Sequence, residues 1–132
     1  MSTPKDAAAR KALPVFSGVV MYFPDALLAV AEVSKAGNEQ HHPGTPLHWD
    51  KTKSTDEADA LLRHLVDAGT RDDDGLRHSA KVAWRALALL QREIDKENGV
   101  AVKPDPNWQP APKIVPDQTS KSYGSSSEYW KP

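Results

Sequence analysis

The chain contains no cysteine. That excludes disulfide staples and every cysteine-bearing zinc or redox site, and it suits a reducing compartment. A basic excess is also missing. The 17 Lys and Arg stand against 18 Asp and Glu, for a formal net charge of -1, so the broad positive face that neutralises a nucleic-acid backbone is not expected. A small anionic ligand held by a local basic cluster stays compatible with this balance. No apolar run approaches the ~20 residues of a membrane span. Residues 1–10 are polar and alanine-rich, without the apolar stretch of a secretory signal. The expectation is a cytoplasmic protein with neither nucleic acid nor membrane as partner. Familiar catalytic signatures are missing too. There is no phosphate-binding P-loop and no Rossmann glycine fingerprint, no Gly-x-Ser-x-Gly elbow, no His-Asp dipeptide of HD phosphohydrolases and no Nudix box.

What is present reads as one all-α domain, since 132 residues suffice for one domain and not two. Residues 1–14 read as a flexible N-terminus, 15–98 as the folded domain, and 99–132 as a Pro- and Ser-rich tail or an arm laid across another subunit. Residues 15–23 (Val-Phe-Ser-Gly-Val-Val-Met-Tyr-Phe) are apolar, β-branched and aromatic, and read as an extended arm or hairpin edge. A first helix is expected from Pro24, with Gly37 as its stop. Ser54-Thr55-Asp56-Glu57 fits a capping box in which Ser54 caps and Glu57 reaches back. Ala58, Leu61, Leu62, Leu65 and Val66 follow at helical spacing, and Gly69 ends the second helix. A third helix over residues 76–96 carries Leu76, Ala80, Ala83, Leu87, Leu90 and Ile94 as a heptad-like seam. Its apolar surface is wider than two other helices can cover, so a homo-oligomer, dimer or tetramer, is expected.

At roughly 100° per residue, Asp56, Asp59 and Arg63 share one sector of the second helix. Two carboxylates three apart can share a hard cation such as Mg²⁺, and Arg63 can reach a phosphate. The same residues equally make a favourable acidic N-terminus and an ordinary i,i+4 pair. On the first helix Glu32 and Lys35 share a face, and Glu39 follows on the same side if the helix survives Gly37. A solvated helix end explains that run as well. His78, Lys81 and Arg85 form a basic stripe near the start of the third helix, where an anion is also favoured by the dipole. A plain solvated face is the commoner meaning of such a stripe. Trp49 and Tyr22 can stack on a base or anchor loops. His41, His42 and His48 raise a histidine metal site, but adjacent histidines point apart and no fourth ligand is marked.

Several separated segments resemble one family. They are Met21-Tyr22-Phe23-Pro24-Asp25-Ala26-Leu27, Glu32-Val33-Ser34-Lys35-Ala36-Gly37-Asn38-Glu39-Gln40-His41, Pro46-Leu47-His48-Trp49, Lys53-Ser54-Thr55-Asp56, Asp59-Ala60-Leu61-Leu62-Arg63-His64 and Asp74-Gly75-Leu76-Arg77-His78-Ser79-Ala80-Lys81-Val82-Ala83-Trp84-Arg85. Together they resemble the phage dATP/dGTP diphosphohydrolases, a group similar to the MazG-like all-α pyrophosphohydrolases. The resemblance implies a MazG-like helical bundle that splits purine deoxynucleoside triphosphates, dGTP and dATP, into monophosphate and pyrophosphate. It implies two or three Mg²⁺ or Mn²⁺ ions held by carboxylates on two helices. The group's Glu-x-x-Asp element maps onto Asp56-x-x-Asp59. Its Glu-Glu-x-x-Glu element does not occur as written, and leaves Glu32 and Glu39, seven apart with Lys35 between them. The implied metal set is Glu32, Glu39, Asp56 and Asp59, with Glu39 and Lys81 catalytic. The implied nucleotide-binding set is Lys35, Asn38, Trp49, Lys53, Arg63, His78, Lys81 and Arg85. It also implies phage nucleotide metabolism linked to 2-aminoadenine DNA, in the host cytoplasm. The competing class is a non-catalytic oligomeric nucleotide binder or phage assembly protein.

Overall fold

Helix formation begins as soon as the chain offers a cap. In the computed structural model, which describes residues 3–102, the Asp6 carboxylate accepts the amide of Ala9 at 2.7 Å and opens α1, Ala7–Lys11. A helix is thus present inside the stretch read as a loose N-terminus. Residues 15–23 are not extended. Phe16–Val20 is a wide helical turn, closed by the Met21 amide on the Phe16 carbonyl, five residues back, at 2.8 Å. Gly18 lets the Pro14 ring lie against that turn, since a Cβ there would meet Pro14 Cγ at 3.1 Å. Local turn bonding therefore overrides the β propensity of the run.

Pro24 opens α2, Pro24–His41, as its fixed φ allows. Gly37 does not stop this helix. The φ change falls at His42, just before Pro43, and the His42 amide caps back onto the Asn38 carbonyl at 2.7 Å. Glycine inside a helix costs up to about 1 kcal/mol relative to alanine, and nothing lies within 4 Å of an added Cβ at position 37. Gly37→Ala is expected to raise stability by about 0.5–1 kcal/mol, read as a higher urea midpoint at unchanged slope.

The second long helix, α3, is Glu57–Val66, with Asp56 rather than Ser54 at the cap position. The capping box fails for a physical reason. Ser54 Oγ donates to Asp56 Oδ1 at 2.6 Å, and Glu57 accepts instead from Arg92 Nε at 2.9 Å. The helix closes at Val66 and Gly69 then turns the chain at φ 90°. Residues 70–77 form a tight loop with one antiparallel bridge, Arg71 to Arg77. It is closed by Asp72 N to Leu76 O at 2.8 Å and His78 N to Thr70 O at 3.2 Å.

The last helix, α4, is His78–Glu97. It packs against both α3 and α2. The fold is all-α, with four α-helices and no strand among the described residues. No single described helix is long and apolar enough to cross a membrane. The tail beyond residue 102 lies outside the described residues.

The packing keeps only part of the expected seam of α4. Ala80 is buried and Leu76, Ala83 and Ile94 are half-buried, but Leu87 and Leu90 are exposed, and His78, Lys81, Arg85, Ala88 and Asp95 are buried as well. The buried apolar set in the described chain is only Val33, Ala60, Ala80 and Ala88. The basic stripe, which reads as either an anion-binding or a solvated face, is the inward one, and polar contacts attach α4 to the rest. A buried side chain of this kind is stable only with its partners in place.

Candidate functional site along the inner face of α4

Each cation of the stripe has its own environment. Lys81 is fully buried, and its ammonium donates to Asp72 Oδ2 and Asp74 Oδ2, both at 2.7 Å. To reach a phosphate it would have to leave both carboxylates. Burial raises the Asp72 pKa, but the hydrogen bond from Lys81 and the amide of Asp73 outweigh it and hold the group below the ordinary carboxylate range.

One turn on, Arg85 is 4% exposed. Its Nη1 makes a long bond of 3.3 Å to Ser54 Oγ, and its Nε has no hydrogen-bond partner among the described residues. Burial pushes its pKa down, opposed by Asp56 and Glu57. Ser54 passes the contact on to Asp56, whose Oδ2 also accepts from Arg63 Nη2 at 2.9 Å. The bonds from Ser54 and Arg63 lower the Asp56 pKa to about 2. Asp56, Arg63, Arg85 and Ser54 are therefore one cluster at the mouth of α3, with a carboxylate ionised at every working pH beside two guanidinium groups.

Further along α4, Arg92 binds Glu57 and also donates to the carbonyl of Lys51 at 2.7 Å and to that of Ser54. Glu57 keeps 3% of its side chain exposed. At the far end Lys51 meets Asp95 at 2.5 Å, which holds the Asp95 pKa low together with Gln91. The Trp49 ring stands edge-on to Trp84 at 5.6 Å, with Lys51 Nζ 5.0 Å from its centroid. Trp84 donates to Ser34 Oγ at 2.7 Å and so ties α4 to α2. Buried Asn38 bonds the Thr45 carbonyl at 3.1 Å and the His48 amide at 3.4 Å, which fixes the loop after α2.

Glu32, Lys35 and Glu39 on α2, Asp59 on α3 and Lys53 before it are all exposed. The structure brings Asp56, Arg63 and Arg85 together. It turns His78 and Lys81 inward, and it sets Asn38 and Trp49 in the packing between α2, its following loop and α4. Sequence reasoning missed Glu57, His64, Asp72, Asp74 and Arg92. The alternating steps of three and four through residues 78, 81, 85, 88, 92 and 95 were the available signal, because a stripe that continues across Ala88 into Asp95 belongs to a packed side.

His64, 1% exposed, faces His78 with the two Nδ1 atoms 3.0 Å apart. Burial first, then Lys81 and His78, push the His64 pKa down from 6.5 to about 4. The unfolded chain thus takes up this proton at a higher pH than the folded one does. The stabilising contribution is complete above about 6.5 and is lost as the pH falls towards 4. Urea midpoints should fall across that window, and His64→Gln should flatten this part of the profile. An equally steep fall in the variant would assign the acid sensitivity to other groups.

With this geometry in view, comparison with known proteins is specific on one point. The family model described as dATP/dGTP diphosphohydrolase, N-terminal, matches residues 3–101. No curated protein and no solved structure matches the chain.

Proposed function

Since the chain belongs to the dATP/dGTP diphosphohydrolase N-terminal family over residues 3–101, we propose that it hydrolyses dGTP and dATP to the monophosphate and pyrophosphate with a MazG-like bundle. The observation that carries this reading is Arg85. A buried guanidinium with an unpartnered Nε, held beside Asp56 and Arg63, is an unsatisfied donor whose burial costs free energy. A phosphate oxygen satisfies it.

The donor type suits a hard divalent cation: Glu32, Glu39, Asp56 and Asp59 offer only carboxylate oxygens, as Mg²⁺ or Mn²⁺ prefers, and Asp56 is already ionised well below neutral pH. The four are not gathered into one metal-ligating group among the described residues, so nucleotide phosphates would have to complete any such site. An ion held there would neutralise phosphate charge and lower the pKa of a water. In this reading Glu39 accepts the proton of the attacking water. Arg63, Arg85, Lys53 and Lys35 meet the charge that grows on the phosphate oxygens. Trp49 offers an aromatic face to the base. Lys81 and His78, both turned inward, support the loop after α3 and touch no substrate.

The exposed Leu62, Leu65, Val66, Leu87 and Leu90 favour a homo-oligomer, because apolar area of this extent gains by leaving water. The setting we infer is phage nucleotide metabolism tied to 2-aminoadenine DNA, in the host cytoplasm.

The test is incubation with each of the four dNTPs, with Mn²⁺ or Mg²⁺ and with EDTA, and chromatography of the products. Pyrophosphate with dGMP or dAMP, lost with EDTA, is the expected result. Release of inorganic phosphate or of free triphosphate would discard the cleavage position. No product, with a nucleotide-dependent rise in melting temperature, would favour a binding protein.

A further inference from the structure

We propose that His64, Asp72 and His78 form a second metal site, distinct from the carboxylate set and built for a borderline transition ion such as Zn²⁺ or Co²⁺. The inference does not depend on the hydrolase reading. One ligand atom from each residue lies within 4.8 Å of the other two, and the histidine nitrogens are 3.0 Å apart. Two nitrogens bound to one ion at about 2.0–2.1 Å sit roughly 3.0–3.4 Å from each other. The pair therefore already stands at the separation that a shared ion requires.

The surroundings are those of a built site. His64 and His78 are 1% and 7% exposed, and the Asp72 side chain is 6% exposed. Asp72 is oriented by Lys81 on Oδ2 and by the Asp73 amide on Oδ1, both at 2.7 Å. Hydrogen bonds of this kind fix a ligating carboxylate. The three ligands come from α3, the 70–77 loop and the first residue of α4, so an ion joins three segments where few apolar side chains do.

Charge selects the ion. Asp72 and Asp74 carry two negative charges and Lys81 one positive, so the two imidazole rings sit beside a net charge of about -1. A dication that gains little from nitrogen has too small a return here. Imidazole ligands favour Zn²⁺, Co²⁺ or Ni²⁺ over Mg²⁺ or Ca²⁺. Ion affinity at such a site adds directly to folding stability.

The full chain, stripped with chelator and dialysed against Zn²⁺ and then buffer, is expected to retain about one Zn²⁺ per chain by elemental analysis and to melt at a higher temperature. Mg²⁺ should not be retained through the same dialysis, and His78→Gln should lose the Zn²⁺-dependent rise. His78→Gln should lose retention, and Asp72→Asn should weaken it by at least about 10–100-fold, because losing a direct ligand costs no less than losing a residue that supports one. Should His78→Gln fail to fold by circular dichroism, the unmodified chain still decides. Imidazole ¹⁵N spectra should show two of the five histidines shifting with Zn²⁺ and neither with Mg²⁺. No retained zinc, undiminished retention in folded His78→Gln, or no histidine shift would each overturn the site.

Discussion

Arg92→Ala should lower the unfolding free energy by about 3–5 kcal/mol, the cost of removing one partner from a buried ion pair. Arg92 bonds Glu57, which is 3% exposed in its side chain, and it also serves the Lys51 and Ser54 carbonyls. Its loss leaves a buried carboxylate and two main-chain acceptors without that donor. A domain typically holds about 5–15 kcal/mol in all, so the variant should be largely unfolded at 37 °C, as followed by urea melts with circular dichroism. Arg63→Ala is the matched control. Its pair with Asp56 is 30% and 48% exposed, and exposed pairs contribute about 0–1 kcal/mol. If Arg92→Ala melts like Arg63→Ala, the guanidinium is not what fixes the 51–57 segment. Arg92→Met combined with Glu57→Leu should recover much of the loss, because both charges leave together.

Asp59→Ala and Glu39→Ala should behave in the opposite way. Each side chain is exposed, and substitutions at such sites usually stay within about 0.5 kcal/mol. On the proposed mechanism turnover should nevertheless drop by at least about 100-fold, since each variant would remove either a metal-holding carboxylate or the base that takes the water proton. Unchanged melting with lost pyrophosphate release is the expected pattern. Parallel loss of both would make these carboxylates structural, and full activity would remove them from the site. Asp56→Ala is less informative, because it also breaks the bonds to Ser54 and Arg63.

Much of the fold was legible where local signals and packing agree. Pro24 opens α2, the helical spacing of Ala58 to Val66 gives α3, and the third long helix lies within two residues of its expected start. The departures share a cause. Gly37, Ser54 and residues 15–23 carry strong local preferences that a nearby bond overrides, at His42, Asp56 and Met21 respectively. The side of α4 that faces inward was not legible from hydropathy. Arg92 and Lys81 are held by Glu57, Asp72 and Asp74, residues 35, 9 and 7 positions away in the chain. The grouping of Asp56 with Arg63 was foreshadowed by their shared sector, whereas the hydrogen bond that links Arg85 to them runs through Ser54, on the segment before α3.

The charged interior of the single chain has a calorimetric consequence. Unfolding raises heat capacity because apolar groups enter water, while newly exposed polar groups lower it. A lone chain whose buried set runs from Glu57, Lys81 and Arg85 to a few alanines should fall below the usual ~12–15 cal/mol/K per residue, and its stability should vary little between cold and warm. A normal increment, with a melting temperature that climbs with protein concentration, is then the thermal signature of Leu87 and Leu90 resting against a second copy.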